Sequence, residues 1–88
     1  MSRFEQISMM LKTLAHPARL QIVAGLLKNE CNVSQIQQSL GLPQSTISQH
    51  LRILKSGGII EGRREGTKVC YKIVNKWAKE VMKIMDTG

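Results

Sequence analysis

Apolar residues along this chain recur at helical spacing in five runs and alternate in one short pair. Phe4, Ile7, Met10, Leu11 and Leu14 form a stripe that predicts a first helix from about Ser2 to Leu14. His16-Pro17 interrupts it, because proline disfavours α geometry in the residue before it and suits the first position of a new helix. The second helix therefore runs from Pro17 to near Asn29. Leu20, Val23 and Leu27 make one ridge on it and Ile22 and Leu26 another, the broad apolar surface of a central post. Val33, Ile36 and Leu40 predict a short third helix, with Asn32 as its N-cap and Gln35 completing a variant of the capping box.

Gly41 then supplies a tight turn, and a fourth helix begins close to Pro43. Ile47, Leu51 and Leu54 lie on one face of it, and Gly57-Gly58 ends it. The runs 59–63 and 68–73, separated by Arg64, Glu65, Gly66 and Thr67, read as a β-hairpin. Its second strand should turn Val69, Tyr71 and Ile73 inward and Lys68, Cys70 and Lys72 outward. Asn75 caps a last helix that holds Trp77, Ala78, Val81, Met82, Ile84 and Met85.

The predicted fold is mainly α with a β-hairpin, one domain over residues 1–88. Residues 33–55 form two helices joined by a Gly-containing turn, the helix-turn-helix pattern, and residues 59–73 form the hairpin, or wing. The terminal helices, 1–14 and 75–88, carry more apolar surface than so small a subunit readily buries. This predicts a homodimer contacting through Phe4, Ile7, Met10, Leu11, Trp77, Val81, Ile84 and Met85; the alternative is that these residues are core alone.

Charge narrows the choice of partner. Thirteen Lys and Arg against six Asp and Glu give a net charge of +7, which favours an anionic partner. The polar face of the fourth helix has hydrogen-bonding groups suited to a DNA major groove. Ser45, Ser48 and Gln49 are the candidates for base edges, with Gln44 beside them; Thr46, His50 and Arg52 suit positional or phosphate contacts. Arg63, Arg64 and Lys68 on the wing, with Lys55, would add phosphate contacts. Lys12, Lys28, Lys76, Lys79 and Lys83 read as solvated faces that enlarge the field.

Other chemistry is poorly supported. No nucleophile triad, phosphate loop or carboxylate pair points to an enzyme. His16 reads as a cap or packing residue, because no ligand stands at metal spacing from it. Neither a membrane span nor a signal peptide is visible, which predicts a cytoplasmic protein in which Cys31 and Cys70 are reduced thiols. A reversible disulfide between them, tying the start of the third helix to the wing, is the sharper alternative.

LKTLAHPARLQIVAGLL (Leu11 to Leu27), LPQSTISQHLRILKSGGII (Leu42 to Ile60) and EGRREGTKVCYKI (Glu61 to Ile73) together resemble the ArsR/SmtB family of winged helix-turn-helix repressors. The resemblance spans nearly the whole chain. It implies five helices plus a wing, a homodimer through the first and last helices, binding to an inverted repeat in operator DNA, repression, and release by an effector. The two recognition helices would stand about 34 to 36 Å apart. The family's metal motifs have no counterpart: Glu30 to Ile36 holds one displaced cysteine, and Trp77 to Asp86 holds no histidine. No cofactor is expected, and the effector is left open. The competing class is a winged helix used as a protein-interaction or RNA-binding module.

Overall fold

The computed structural model describes residues 1–86 and contains five helices and one hairpin. In chain order they are α1 (Arg3–Leu14), α2 (Pro17–Lys28), α3 (Val33–Leu40), α4 (Gln44–Ser56), β1 (Ile60–Glu65), β2 (Lys68–Ile73) and α5 (Lys76–Asp86). The expected terminal helix extended to residue 88, and its last two positions lie outside the described residues.

Local chemistry sets most of these boundaries. Ser2 Oγ accepts the Glu5 N–H at 3.1 Å while the Glu5 carboxylate accepts the Ser2 N–H at 3.3 Å, a complete capping box for α1. His16 Nδ1 accepts the Ala18 N–H at 3.1 Å, so this histidine caps α2. Asn75 Oδ1 accepts the Ala78 N–H at 3.0 Å and so caps α5. Gly41 leaves α3 in the left-handed region at φ 64°, where a side chain is strained. Pro43 is the N-cap of α4 rather than its first residue.

The predicted cap of α3 is corrected. Asn32 makes no side-chain cap; its Oδ1 is buried without a hydrogen-bond partner. Asn29 does the local work instead, its Oδ1 accepting the Cys31 N–H at 2.9 Å. That bond folds the chain between α2 and α3 before the helix begins, and Asn32 is left in a non-extended conformation that turns its side chain away from the N3 amide.

α2 is the central post, in contact with α1, α3, α4 and β2. Its Ile22, Val23 and Leu26 are fully buried, and they meet Ile36 of α3, Ile47, Leu51 and Leu54 of α4, and Met82 of α5 in one core. Gly25 permits the close approach of α3, since a Cβ there would lie 2.7 Å from Ile36 side-chain carbons. Leu27, expected on the buried ridge, is instead 44% exposed.

The wing differs most from expectation. β1 and β2 pair antiparallel from Ile60↔Ile73 to Glu65↔Lys68, so β2 covers 68–73 as expected, while β1 runs past Arg63 to Glu65 and the turn shortens to Gly66-Thr67. Only the base of this ribbon reaches the core: Ile59, Ile60 and Ile73 are buried, whereas Val69 near the tip is exposed. Cys70, expected on the wet face, is fully buried. The cause is a disulfide between Cys70 and Cys31, with their Cα atoms 4.2 Å apart. The expectation of reduced thiols is therefore corrected. Two further bonds make the juxtaposition: the Tyr71 N–H donates to the Glu30 carbonyl at 2.8 Å, and Arg63, directly across the ladder from Cys70, pairs with the Glu30 carboxylate at 2.6 Å. A sequence separation of 39 residues hides this contact from local pattern.

Truncating the post should be costly. Leu26→Ala should lower the unfolding free energy by about 2–5 kcal/mol, the usual range for a leucine deleted from a packed core. Urea unfolding at fixed protein concentration checks this, and a loss well below that range would mean that α3 and α4 collapse into the space.

Candidate nucleic-acid interface

α4 is held by one side and open on the other. Ile47, His50, Leu51 and Leu54 are buried beneath it, while Ser45, Ser48, Gln49 and Arg52 stand exposed at i, i+3, i+4 and i+7. These four therefore share one outward face of the helix. Gln44 and Lys55 are exposed at its flanks, and Thr46 is half-buried. Hydroxyl, amide and guanidinium groups on one exposed helical face match the donor and acceptor pattern of base-pair edges.

His50 does not belong to that face. It is 8% exposed and turned inward, its ring centroid 4.7 Å from that of His16 and its Nδ1 3.4 Å from a terminal nitrogen of Arg19. Arg19 is itself anchored, its Nε donating to the Thr13 carbonyl at 2.6 Å. A guanidinium only donates, so it favours the neutral imidazole with Nδ1 as acceptor. Burial pushes the His50 imidazole below its ordinary range, and the neighbouring His16 and Arg19 push the same way. His50 thus pins the middle of α4 to the α1–α2 junction, and it lies on the buried side of the helix rather than on the outward face with the other expected DNA contacts.

The wing lies beside α4 across a groove. A cavity of about 590 Å³ runs between α3, α4 and β2, bordered by Gln35, Gln44, Ser48, Lys68 and Tyr71 among others. A smaller recess of about 210 Å³ adjoins it, where Arg52 and Lys55 meet Tyr71. Arg64 and Lys68 are exposed near the tip. Arg63 is not a free cation: it is held by Glu30 and, at 2.8 Å, by Glu65. Its place is midway along the ribbon, across from Cys70, where Glu30 and Glu65 make an ion-paired joint that spacing alone did not reveal.

The predicted subunit-contact residues divide. Phe4 (85% exposed), Leu11 and Met85 are open to solvent, as is Ile84, while Ile7, Trp77 and Val81 are half-buried where α1 meets α5. Met10 is 3% exposed and belongs to the subunit's own core. Among the described residues no group of three or more His, Cys, Asp or Glu side chains is placed to hold a metal ion, and no helix is long and apolar enough to cross a membrane.

Comparison with known proteins gives a consistent picture. The model of the arsR family of bacterial regulatory proteins matches residues 16–61. The transcriptional repressor PagR of Bacillus anthracis is 44% identical over 78 residues, 88% of this chain and 78% of that one. Its crystal structure superposes with a TM-score of 0.80, covering 93% of this chain and 94% of PagR at 41% identity. HlyU from Vibrio cholerae superposes with a TM-score of 0.87 at 32% identity, covering 99% of this chain and 96% of its own. The homodimeric winged helix-turn-helix DNA-binding domain Mb0332 of Mycobacterium bovis superposes at 0.78 with 34% identity, covering 96% and 78%.

The buried imidazole predicts a pH dependence of stability. With the native pKa lowered, the neutral form is favoured in the fold, so the contribution of His50 is complete above the unfolded value of about 6.5 and is lost as pH falls through the lowered native value. Unfolding free energy should decline as pH falls below the unfolded value of about 6.5, and His50→Gln, which keeps an acceptor for Arg19, should flatten that decline. An equal decline in the variant would assign it to other groups.

Proposed function

From the premise that this chain belongs to the ArsR family of bacterial regulatory proteins, we propose that it is a homodimeric repressor whose two α4 helices enter successive major grooves of an inverted-repeat operator. One observation carries this reading: the exposed face of α4 presents Ser45, Ser48, Gln49 and Arg52, while Ile47, Leu51 and Leu54, together with His50, are buried on the opposite side. Gln49 pairs bidentately with adenine and the serines accept either sense of hydrogen bond; Gln44, Thr46, Arg52 and Lys55 position the helix on the backbone. Arg64 and Lys68 bring the wing's charge to phosphate or the adjacent minor groove.

A second copy of the chain completes this geometry. α1 and α5 expose Phe4, Leu11 and Met85, and beside α5 an apolar cleft of about 430 Å³ opens against Leu20, Ala24 and Leu27 of α2. A two-fold axis through these helices covers both surfaces with their equivalents and fixes the separation of the recognition helices. Operator DNA places the protein in the cytoplasm, and its action is by occupancy of a site rather than by catalysis. The recess beside Tyr71 is lined by Ser48, Arg52 and Lys55, a cationic rim that suits duplex phosphate better than stacked single-stranded bases.

Three outcomes are expected. Gln49→Ala should relax preference at one operator position by about 1–3 kcal/mol, measured on a panel of single-base variants; uniform weakening would refute base reading. Arg64→Ala and Lys68→Ala should each reduce the slope of log affinity against log salt by about 1, with selectivity kept. Phe4→Glu should give a monomer in sedimentation equilibrium and lose operator affinity, whereas a stable dimer would move the interface elsewhere.

A further inference from the structure

Beyond its buried base, the wing is tied to the α2–α3 turn at one place along the ribbon, and that place carries three bonds of different kinds. They are the Cys31–Cys70 disulfide, the Tyr71 N–H to Glu30 carbonyl hydrogen bond, and the Arg63–Glu30 ion pair. Two are ordinary non-covalent contacts that survive a change of redox state. The third does not. Reduction therefore leaves the wing attached and folded but loosened, which is a graded change suited to control rather than to unfolding.

The two sulfurs are unequally placed. Cys70 is fully buried, whereas Cys31 is half-buried and borders the groove between the wing, α3 and α4. This is the groove whose rim carries Gln44, Ser48 and Lys68, so under the DNA-binding reading it faces the operator. We propose that Cys31–Cys70 is a redox latch on the wing: the disulfide form holds the wing ready for DNA, and reduction by a low-molecular-weight dithiol, reaching Cys31 through the groove, weakens operator binding. The inference rests on that reading.

The chemistry balances as a two-electron exchange. A thiolate of the dithiol attacks Cys31 Sγ, forming a mixed disulfide and expelling Cys70 as a thiolate that takes up a proton. The second thiol of the reductant then displaces Cys31, which leaves as a thiol, and the reductant departs as a cyclic disulfide. Arg63, across the ladder from Cys70, keeps a cation on the face where the leaving thiolate appears. The loosened wing must be re-ordered when Arg64 and Lys68 meet phosphate, and that ordering cost lowers affinity by roughly three- to tenfold. Bound DNA fills the groove, so it also shields Cys31 from the reductant.

The test uses the full chain and its selected operator duplex. Affinity is measured by fluorescence anisotropy for the oxidised protein, for protein treated with dithiothreitol and alkylated with iodoacetamide, and for Cys31→Ser. Amide exchange over β1 and β2 is measured on the same three samples. The expected result is that the oxidised form binds at least about threefold tighter, that Cys31→Ser behaves as the reduced protein and ignores dithiothreitol, and that wing amides exchange faster in both. Excess operator should slow reduction, timed by the alkylation mass shift. Equal affinity in the two redox states, or tighter binding by the reduced form, overturns the latch, as does equal wing exchange. Failure of every form to bind any selected duplex, with wing exchange still redox-dependent, overturns the DNA-binding reading and the latch's role in affinity together.

Discussion

Ile47, Leu51 and Leu54 clamp α4 by one edge onto Ile22, Val23 and Leu26 of α2, and the rest of the fold is arranged around that contact. Each such side chain taken out of water contributes about 1.5–3 kcal/mol, so the clamp is among the strongest local forces available to a chain of this size. It also determines rotation. With that edge buried, the helical period leaves Ser45, Ser48, Gln49 and Arg52 no direction but outward. His50 fixes the same rotation by a polar route, caught between His16 and Arg19. α4 is thus held in register by dispersion along its length and by hydrogen bonding at its middle.

Helices were legible in sequence because their signals are local. α3 lies over Val33–Leu40 as the apolar spacing predicts, and Pro17, Gly41 and Asn75 punctuate the chain where their backbone chemistry requires. The exposed residues of α4 follow from the same period. What periodicity did not reveal depends on contacts between distant segments. Val69 and Cys70 exchange their expected environments because the ribbon projects past the core and is drawn by Glu30 and Cys31 from the α2–α3 turn. Arg63 looked like one of three equivalent wing cations, and only the folded ladder brings it beside Glu30 and Glu65. His50 sits within the polar run of α4, yet it faces inward, a distinction that residue type does not make. Met10 and Phe4 share one stripe on α1, and packing against α2 and α5 separates a core residue from a surface one.

The joint between wing and body also bears on stability. A covalent link across 39 residues removes unfolded-state freedom worth about 4 kcal/mol in the chain-entropy account. For a domain that buries a modest share of its surface, that is a substantial fraction of the total. The link spans α3, α4 and β1, so it encloses the whole helix-turn-helix and leaves α1, α2 and α5 outside the loop. α1 and α5, which expose Phe4, Leu11 and Met85, stay outside the loop, and the part that presents Gln49 is the part made covalently compact.

A sheet of two strands consists entirely of edges, and each unpaired edge is a template on which another chain can add a strand. β1 reads Ile60, Glu61, Gly62, Arg63, Arg64, Glu65, with both signs of charge on neighbouring positions and a glycine in the middle. β2 sets Lys68 and Lys72 along the other edge. An incoming strand would have to desolvate or oppose these charges and would find little apolar surface to cover in return. The residues that give the wing its electrostatic character therefore also keep it from recruiting copies of itself, so an exposed two-stranded ribbon can project into solvent without becoming a site of aggregation.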